Sequence, residues 1–279
     1  MFFYTLRAKI KQMTIQELYL YPIKSLSGIK VNSATLDARG FEYDRRWMVV
    51  DEDGVFISQR KYPVLASIQV ALKGELLHLY TQNDPTGTHI PLAPENGQSR
   101  LQVKVWDFVC NAVDGFDAAN IWLSQQLSMK CRLVYMPKDI KRWIKNPKVP
   151  KGSILSFADG YPYLIIGSAS LAHLNKKLDE PISMRRFRPN IVVHTNVPHE
   201  EDLWQSIGTG HSTFKLIKSC KRCIMVNVDP LTSITHKEPL RTLSSYRMKD
   251  NKVHFGMNAI WIPKYQDEVI RVGDCCVGV

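Results

Sequence analysis

Apolar and polar residues alternate over many short stretches of this chain, the two-residue period of strands with one buried face. The run Ile15-Gln16-Glu17-Leu18-Tyr19-Leu20-Tyr21 shows it first. Trp47-Met48-Val49-Val50 is a continuous apolar run closed by Asp51-Glu52-Asp53-Gly54, a hairpin turn signal. Strands at 55–57, 67–70, 76–80 and 101–105 continue the series around a loop-rich stretch at 83–99. The period changes to that of a helix at 117–127, where Ala119, Trp122, Leu123 and Leu127 share one face. Residues 132–135 return to a strand. Gly167-Ser168-Ala169-Ser170 opens a second helix, with Ser168 or Ser170 as its N-cap and Leu171, Leu174 and Leu178 as its buried stripe. Strands follow at 190–194, 213–218, 224–228, 253–262 and 269–279, with a short helix at 241–247. Many short strands and few helices predict a β-rich α+β protein built on barrels, not a parallel doubly wound sheet.

Composition narrows this picture. A chain of 279 residues with 44% hydrophobic residues can bury a substantial core in one or two domains. It holds no apolar run of about 20 residues, so no membrane-spanning helix is expected. Residues 1–12 carry three aromatics and three Lys/Arg without a small-residue cleavage site, and read as a short leader or a misplaced start before Met13. Six cysteines in a chain this long form no disulfide framework, which points to a reducing compartment and a cytoplasmic location. Lys and Arg outnumber Asp and Glu by 11, which calls for an anionic ligand or partner. Lys138, Lys141, Arg142, Lys145, Lys148 and Lys151 concentrate that excess in a Pro-containing stretch read as a loop or linker. Arg185, Arg186 and Arg188 form a second cluster, of which Arg185 and Arg186 read as a solvated rim. No helix-turn-helix, zinc finger or aromatic RNA-binding signature accompanies them, so nucleic acid is not the expected partner. The basic stretch is the best domain boundary, dividing the chain into 13–136 and 137–279.

The densest candidate chemistry is Cys220-Lys221-Arg222-Cys223, between an alternating run and the strand-like Ile224 to Val228, closed by Asp229-Pro230. Neighbouring cations favour the thiolate, the form that binds soft metals and attacks as a nucleophile. The spacing alone leaves four readings open. A dithiol redox centre normally precedes a helix, whereas β-branched residues follow here. A structural zinc site needs two further ligands; Cys275-Cys276 is an adjacent pair pointing to opposite faces, and His211 and His236 are unrelated in spacing. Two free cysteines packed as small hydrophobes are a third reading, and one thiolate on a soft metal centre is the fourth.

Several stretches resemble the MOSC-domain family, the sulfurase C-terminal modules related to molybdenum cofactor sulfurase, and most of all its amidoxime-reducing component and YcbX-like branch. They are Tyr21-Pro22-Ile23-Lys24-Ser25-Leu26, Gly40 to Trp47 with Gln59-Arg60, Phe187-Arg188-Pro189-Asn190, and Cys220-Lys221-Arg222-Cys223 with Val228-Asp229-Pro230. His254 to Asn258 and Val272-Gly273-Asp274 resemble its closing segments. The resemblance runs from about residue 14 to the C-terminus. It implies an N-terminal MOSC-type β-barrel domain followed by a barrel-like MOSC domain, with a molybdenum cofactor of the molybdopterin form between them. Cys223 takes the place of the metal-binding and catalytic cysteine. Lys24, Ser25, Arg45, Ser168, Ser170, Arg188, Asn190, Lys221 and Arg222 match positions around the cofactor, and Asp159 lies in a segment resembling one near the cleft. The implied activity is reduction of N-hydroxylated or related N-oxygenated small molecules, with a cofactor carrier or sulfur-transfer role as the alternative. Lys221 departs from the small hydroxyl residue that relatives often carry. The chain also lacks the iron–sulfur spacing with which some bacterial relatives continue. Electrons are therefore expected from a separate ferredoxin-, flavodoxin- or cytochrome-like protein.

Overall fold

The structure is a computed structural model that describes residues 12–94, 99–265 and 267–279. The leader reading of residues 1–12 falls, for residues 1–11, outside the described residues. A closed barrel of seven strands dominates the C-terminal part. Around it run Tyr163–Gly167, Ile191–His194, Met13–Leu20, Cys275–Gly278, Ser206–Thr209, Ser212–Arg222 and Lys252–Ile262, and the last pairs back to the first. Every neighbouring pair is antiparallel except Tyr163–Gly167 beside Ile191–His194. A parallel pair needs a crossover. Here it carries the helix Ser168–Asn175, called α2, after the earlier helix Asp117–Leu127, α1.

Alternation along these strands buries both faces. Ile15, Leu18, Leu20, Tyr163, Ile165, Ile191, Val193, Phe214 and Leu216 belong to one apolar cluster. Their neighbours Tyr19, Tyr21, Leu164, Ile166 and Val192 belong to another, packed with Leu174 of α2 and Leu243 of α3 (Leu240–Arg247). Gly256 lets the longest strands close up: at φ +74° it occupies the left-handed region, and a Cβ there would stand 2.6 Å from Ile166 Cγ1.

The other module holds two sheets against α1. One is ordered Trp47–Val50, Arg132–Tyr135, Phe108–Val113, Arg100–Val105; the other is Gln69–Lys73, Leu76–Tyr80, Thr88–Pro91. Ala119, Trp122, Leu123 and Leu127 are all buried there, the face that their periodicity marks. No helix of the described residues is long and apolar enough to cross a membrane.

Five features differ from the sequence reading. The stretch 83–99 contains the strand Thr88–Pro91, whose Thr88 and Ile90 are buried; residues 95–98 lie outside the described residues. Residues 224–228 are not a strand: Ile224–Asn227 is a 3₁₀ turn closed by Val226 N–H to Cys223 O and Val228 N–H to Met225 O, which buries Val226 and Asn227 and exposes Ile224. Helix α2 begins at Gly167 without a side-chain cap. In the basic stretch, Arg142 is buried and donates to Ser156 O (3.2 Å) and Ala158 O, within a short pairing of Arg142–Trp143 with Ile154–Leu155. Lys138, Lys141, Lys145, Lys148 and Lys151 stay exposed. Finally, strand pairing crosses the 136/137 division. Met13–Leu20 is a barrel strand, Ile29–Val31 pairs with it, and Ser33–Asp37 pairs with Val269–Arg271, so the α1-containing sheets start only at Trp47.

Candidate functional site

Where the two modules meet, a cleft is walled by Lys24 and Ser25, by Arg45, Arg188 and Asn190, by the Ala158–Tyr161 segment and by residues of Cys220–Val226. The chain leaves Met13–Leu20 and crosses to the other module by two contacts, an Ile23–Trp47 bridge and Lys24 N–H donating to Trp47 O at 2.8 Å. That crossing turns Lys24 inward. Its ammonium donates to Phe157 O at 2.9 Å and to the Asp159 carboxylate. Burial lowers the Lys24 pKa, against the opposing pull of Asp159. Burial alone would raise the Asp159 carboxyl, but Lys24, the Trp106 indole N–H (3.2 Å) and Arg60 outweigh it and hold Asp159 well below the usual carboxylate range.

Arg45 and Arg188 come together on one aromatic ring. Their guanidinium carbons lie 4.5 and 4.3 Å from the Tyr21 ring centre. Arg45 donates to Asp44, to Asn190 Oδ1 (3.0 Å) and to Arg188 O (3.4 Å), and Arg188 donates to Leu26 O (2.6 Å). Asp44 is fully buried and also accepts from Tyr21 N–H (2.8 Å) and Asn190 Nδ2 (3.2 Å). Asn190 is thereby a brace that spends its amide on Arg45, Asp44 and backbone. Burial lowers the Arg188 pKa to about 10, with Arg45 adding like charge. The Tyr21 hydroxyl is buried and has no hydrogen-bond partner among the described residues.

Ser25, Arg45 and Arg188 all lie in the left-handed backbone region, at φ +71°, +50° and +54°. Non-glycine residues held there are strained, and such strain persists only where surrounding contacts fix it, often at functional sites. Three such residues line this one cleft.

The thiols arrive from the other side. Strand Ser212–Arg222 bulges twice against Lys252–Ile262, between Leu216 and Lys218 and between Ser219 and Lys221, and bulges re-aim side chains. Cys220 is half-buried against the outer barrel cluster, whereas Cys223, just past the strand, is exposed. Arg222 spends its guanidinium on Phe255 O (2.8 and 2.6 Å) and Phe187 O (2.9 Å), anchoring the cysteine segment to the barrel. Among the described residues no three His, Cys, Asp or Glu side chains gather to hold a metal, so a structural zinc site finds no ligand set there.

The cleft thus gathers Lys24, Ser25, Arg45, Arg188, Asn190, Lys221, Arg222 and Cys223. Ser168 and Ser170 are elsewhere. Ser168 Oγ accepts from Thr195 N–H (3.2 Å), and Ser170, fully buried, donates to Glu201 (2.8 Å) and accepts from His199 N–H (2.8 Å). Their hydroxyls tie α2 to the segment that follows Ile191–His194, outside the cleft lining. Arg185 and Arg186 are not a solvated rim either. Arg185 donates to Ser27 Oγ (2.6 Å), and Arg186 joins the cleft lining while donating to Asn227 O (3.0 Å) and Asp229 (2.8 Å). Arg60, Tyr161 and Asn258 line the cleft without having been singled out in the sequence. Arg60 and Asn258 sit inside motif stretches, so only their orientation was missing.

Asp159→Asn should lower thermal stability by about 1 kcal/mol or less at neutral pH, since the carboxylate is more than half exposed and screened. Its folded pKa is depressed, so its contribution is present above the ordinary carboxylate range and fades as pH falls through the folded pKa. Melting temperatures of the two proteins should therefore converge in acid; a constant gap across pH would rule out the ion pair as its source.

The two-module architecture agrees with two matched family descriptions: "MOSC N-terminal beta barrel domain" over residues 12–130 and "MOSC domain" over residues 153–277. The chain belongs to the MOSC-domain family. Among its relatives, the mouse mitochondrial amidoxime-reducing component 1 is 33% identical over 96% of this chain and 83% of its own length. The bovine mitochondrial amidoxime reducing component 2 is 34% identical over 88% of this chain and 75% of its own. The zebrafish (Danio rerio) molybdenum cofactor sulfurase is 32% identical over 88% of this chain, which spans 31% of that longer protein.

Proposed function

We propose that the cleft holds a molybdenum cofactor of the molybdopterin form and that the protein is a reductase of N-hydroxylated or related N-oxygenated small molecules. The observation that carries this is an exposed cysteine, Cys223, opening onto the same cleft as the inward-turned cations Lys24, Arg45 and Arg188. The residues fit the group. A thiolate suits a soft metal, and a phosphate-bearing pterin suits cations held in a low-dielectric wall. The strained Ser25, Arg45 and Arg188 mark a wall shaped for something beyond its own packing.

Each residue has a distinct part in that reading. Cys223 is the metal ligand. Lys24, Arg45 and Arg188 hold the anionic end, with Ser25 presenting its backbone and hydroxyl beside Lys24. Asn190 fixes Arg45, Arg222 fixes the cysteine segment, and Lys221 brings a free cation to the cleft. When bound, the cofactor supplies the two-electron reduction that takes oxygen from nitrogen and releases it as water. The names of the mouse and bovine relatives support this activity, and the sulfurase relative supports the alternative of a cofactor carrier or sulfur-transfer protein. Turnover of an N-hydroxylated amidine with an artificial reductant separates the two: a reductase consumes it, a carrier does not.

Electrons are proposed to come from a separate acidic donor protein, steered by the exposed lysines of 138–151. Arg142 drops out of that patch because it is buried. The rate with a protein donor should fall as salt rises, because screening shortens to about 8 Å near physiological ionic strength. The rate with a small uncharged reductant should not. Equal salt responses would remove the charge argument, and efficient turnover of the pure chain with NAD(P)H alone would refute the separate donor.

A further inference from the structure

The cations of the cleft divide into two sets. Lys24, Arg45, Arg186, Arg188 and Arg222 all donate to protein oxygens. Arg60 and Lys221 are exposed, and neither side chain makes a hydrogen bond or ion pair among the described residues. Of these two, Arg60 alone is held in place. Its guanidinium carbon lies 4.5 Å from the Trp106 ring centre, and Trp106 packs in turn on Phe56 at 4.9 Å and donates its indole N–H to Asp159 at 3.2 Å.

Trp106 is an unusual residue for its place. Val105 pairs with Phe108, so Trp106-Asp107 is a two-residue hairpin turn, and Trp106 sits at φ +56°. Such turns favour Asn, Asp or Gly, because other side chains are strained there. A half-exposed tryptophan at this turn gives up local stability to stack on Arg60 and bond Asp159 at the cleft wall. The ring holds the guanidinium by a cation–π contact, and its N–H groups make no hydrogen bond among the described residues. The N–H edge of a guanidinium matches a planar carboxylate with two parallel bonds.

We propose that Arg60, positioned by Trp106, is a specificity-determining residue that binds a carboxylate on the substrate, so that the preferred substrates are N-oxygenated acids. This rests on the reductase reading for the word substrate, though not for the binding site itself. Lys221 adds a second positive charge from the opposite module. The inner cations stay engaged with the protein and the cofactor.

The test uses the full chain purified from a cofactor-producing host, with an artificial reductant in place of any protein donor. Benzamidoxime and 4-carboxybenzamidoxime are compared as substrates. Wild type should favour the carboxylated compound in kcat/KM, chiefly through KM. In Arg60→Ala the ratio between the two should fall roughly tenfold, the low end for a charge-assisted bond, with molybdenum content retained. Trp106→Leu should lose part of the ratio, and Trp106→Phe, which can still stack on Arg60, should restore most of it. Calorimetric binding of 4-carboxybenzamidine, which needs no turnover, should weaken by a similar factor in Arg60→Ala. If neither amidoxime is turned over but that binding difference holds, the reductase reading fails and the carboxylate site stands. A ratio unmoved by Arg60→Ala, or equal binding of the amidine to both proteins, overturns the proposal. So does loss of molybdenum in Arg60→Ala, which would assign the arginine to the cofactor instead.

Discussion

Cys223→Ser is expected to abolish reduction of N-hydroxylated substrates, while Cys220→Ser keeps most of it. The two thiols are three residues apart and both line the cleft, yet their burial differs: Cys223 is exposed past the strand end, and Cys220 is half-buried against the outer barrel cluster. Serine is a harder ligand than a thiolate and stays protonated near neutral pH, so a soft metal loses its anchor in the first variant. In the second, the main change is a hydroxyl in a partly apolar setting, a stability cost of about 1 kcal/mol. Activity and metal content measured on both variants decide the matter. Equal loss in both would return the pair to a dithiol role.

Lys24→Ala and Arg188→Ala should each yield folded protein with less molybdenum. A charge-assisted bond to a buried phosphate is worth about 1.5–3 kcal/mol, so affinity should fall roughly ten- to a hundredfold. Folding should survive both changes. Lys24 leaves behind an Asp159 carboxylate that still has the Trp106 N–H and solvent. Arg188 leaves behind one backbone carbonyl, Leu26 O, and the Tyr21 face still covered by Arg45. Elemental analysis beside circular dichroism is the check, and full metal occupancy in both variants would sink the assignment.

Much of this fold is legible where periodicity and packing agree. The 117–127 helix follows from four residues on one face, and the strands at 190–194 and 253–262 follow from alternation. Ile224 to Val228 misleads because a short apolar run fits a strand and a tight turn equally; backbone bonds from Val226 N–H to Cys223 O and Val228 N–H to Met225 O decide it. Ser168 and Ser170 illustrate another limit. A hydroxyl at a helix start reads the same whether it caps the helix, meets a ligand or, as here, bonds Thr195 and Glu201. The motif stretches bring Lys24, Arg45, Arg188 and Cys223 into one cleft, but no pattern of residue types reveals that Arg222 is spent on carbonyls while Arg60 is free. That division depends on which donors find acceptors across the chain, from Leu26 to Phe255, and on left-handed backbone at residues of ordinary type.

Met13–Leu20 lies between Ile191–His194 and Cys275–Gly278, and this placement orders events during synthesis. Only its end at Leu18–Leu20 finds an early partner, in Ile29–Val31; its barrel partners lie about 170 residues later, in Ile191–His194, and later still, in Cys275–Gly278. Until then it presents an unpaired edge, the state in which strands associate wrongly. The cleft wall that follows it, at Lys24 and Ser25, is anchored by that same strand. The cleft is therefore finished only once the barrel has closed, and anything that binds there must await that closure. High contact order of this kind also slows folding, giving chaperones time to act on the unclosed barrel.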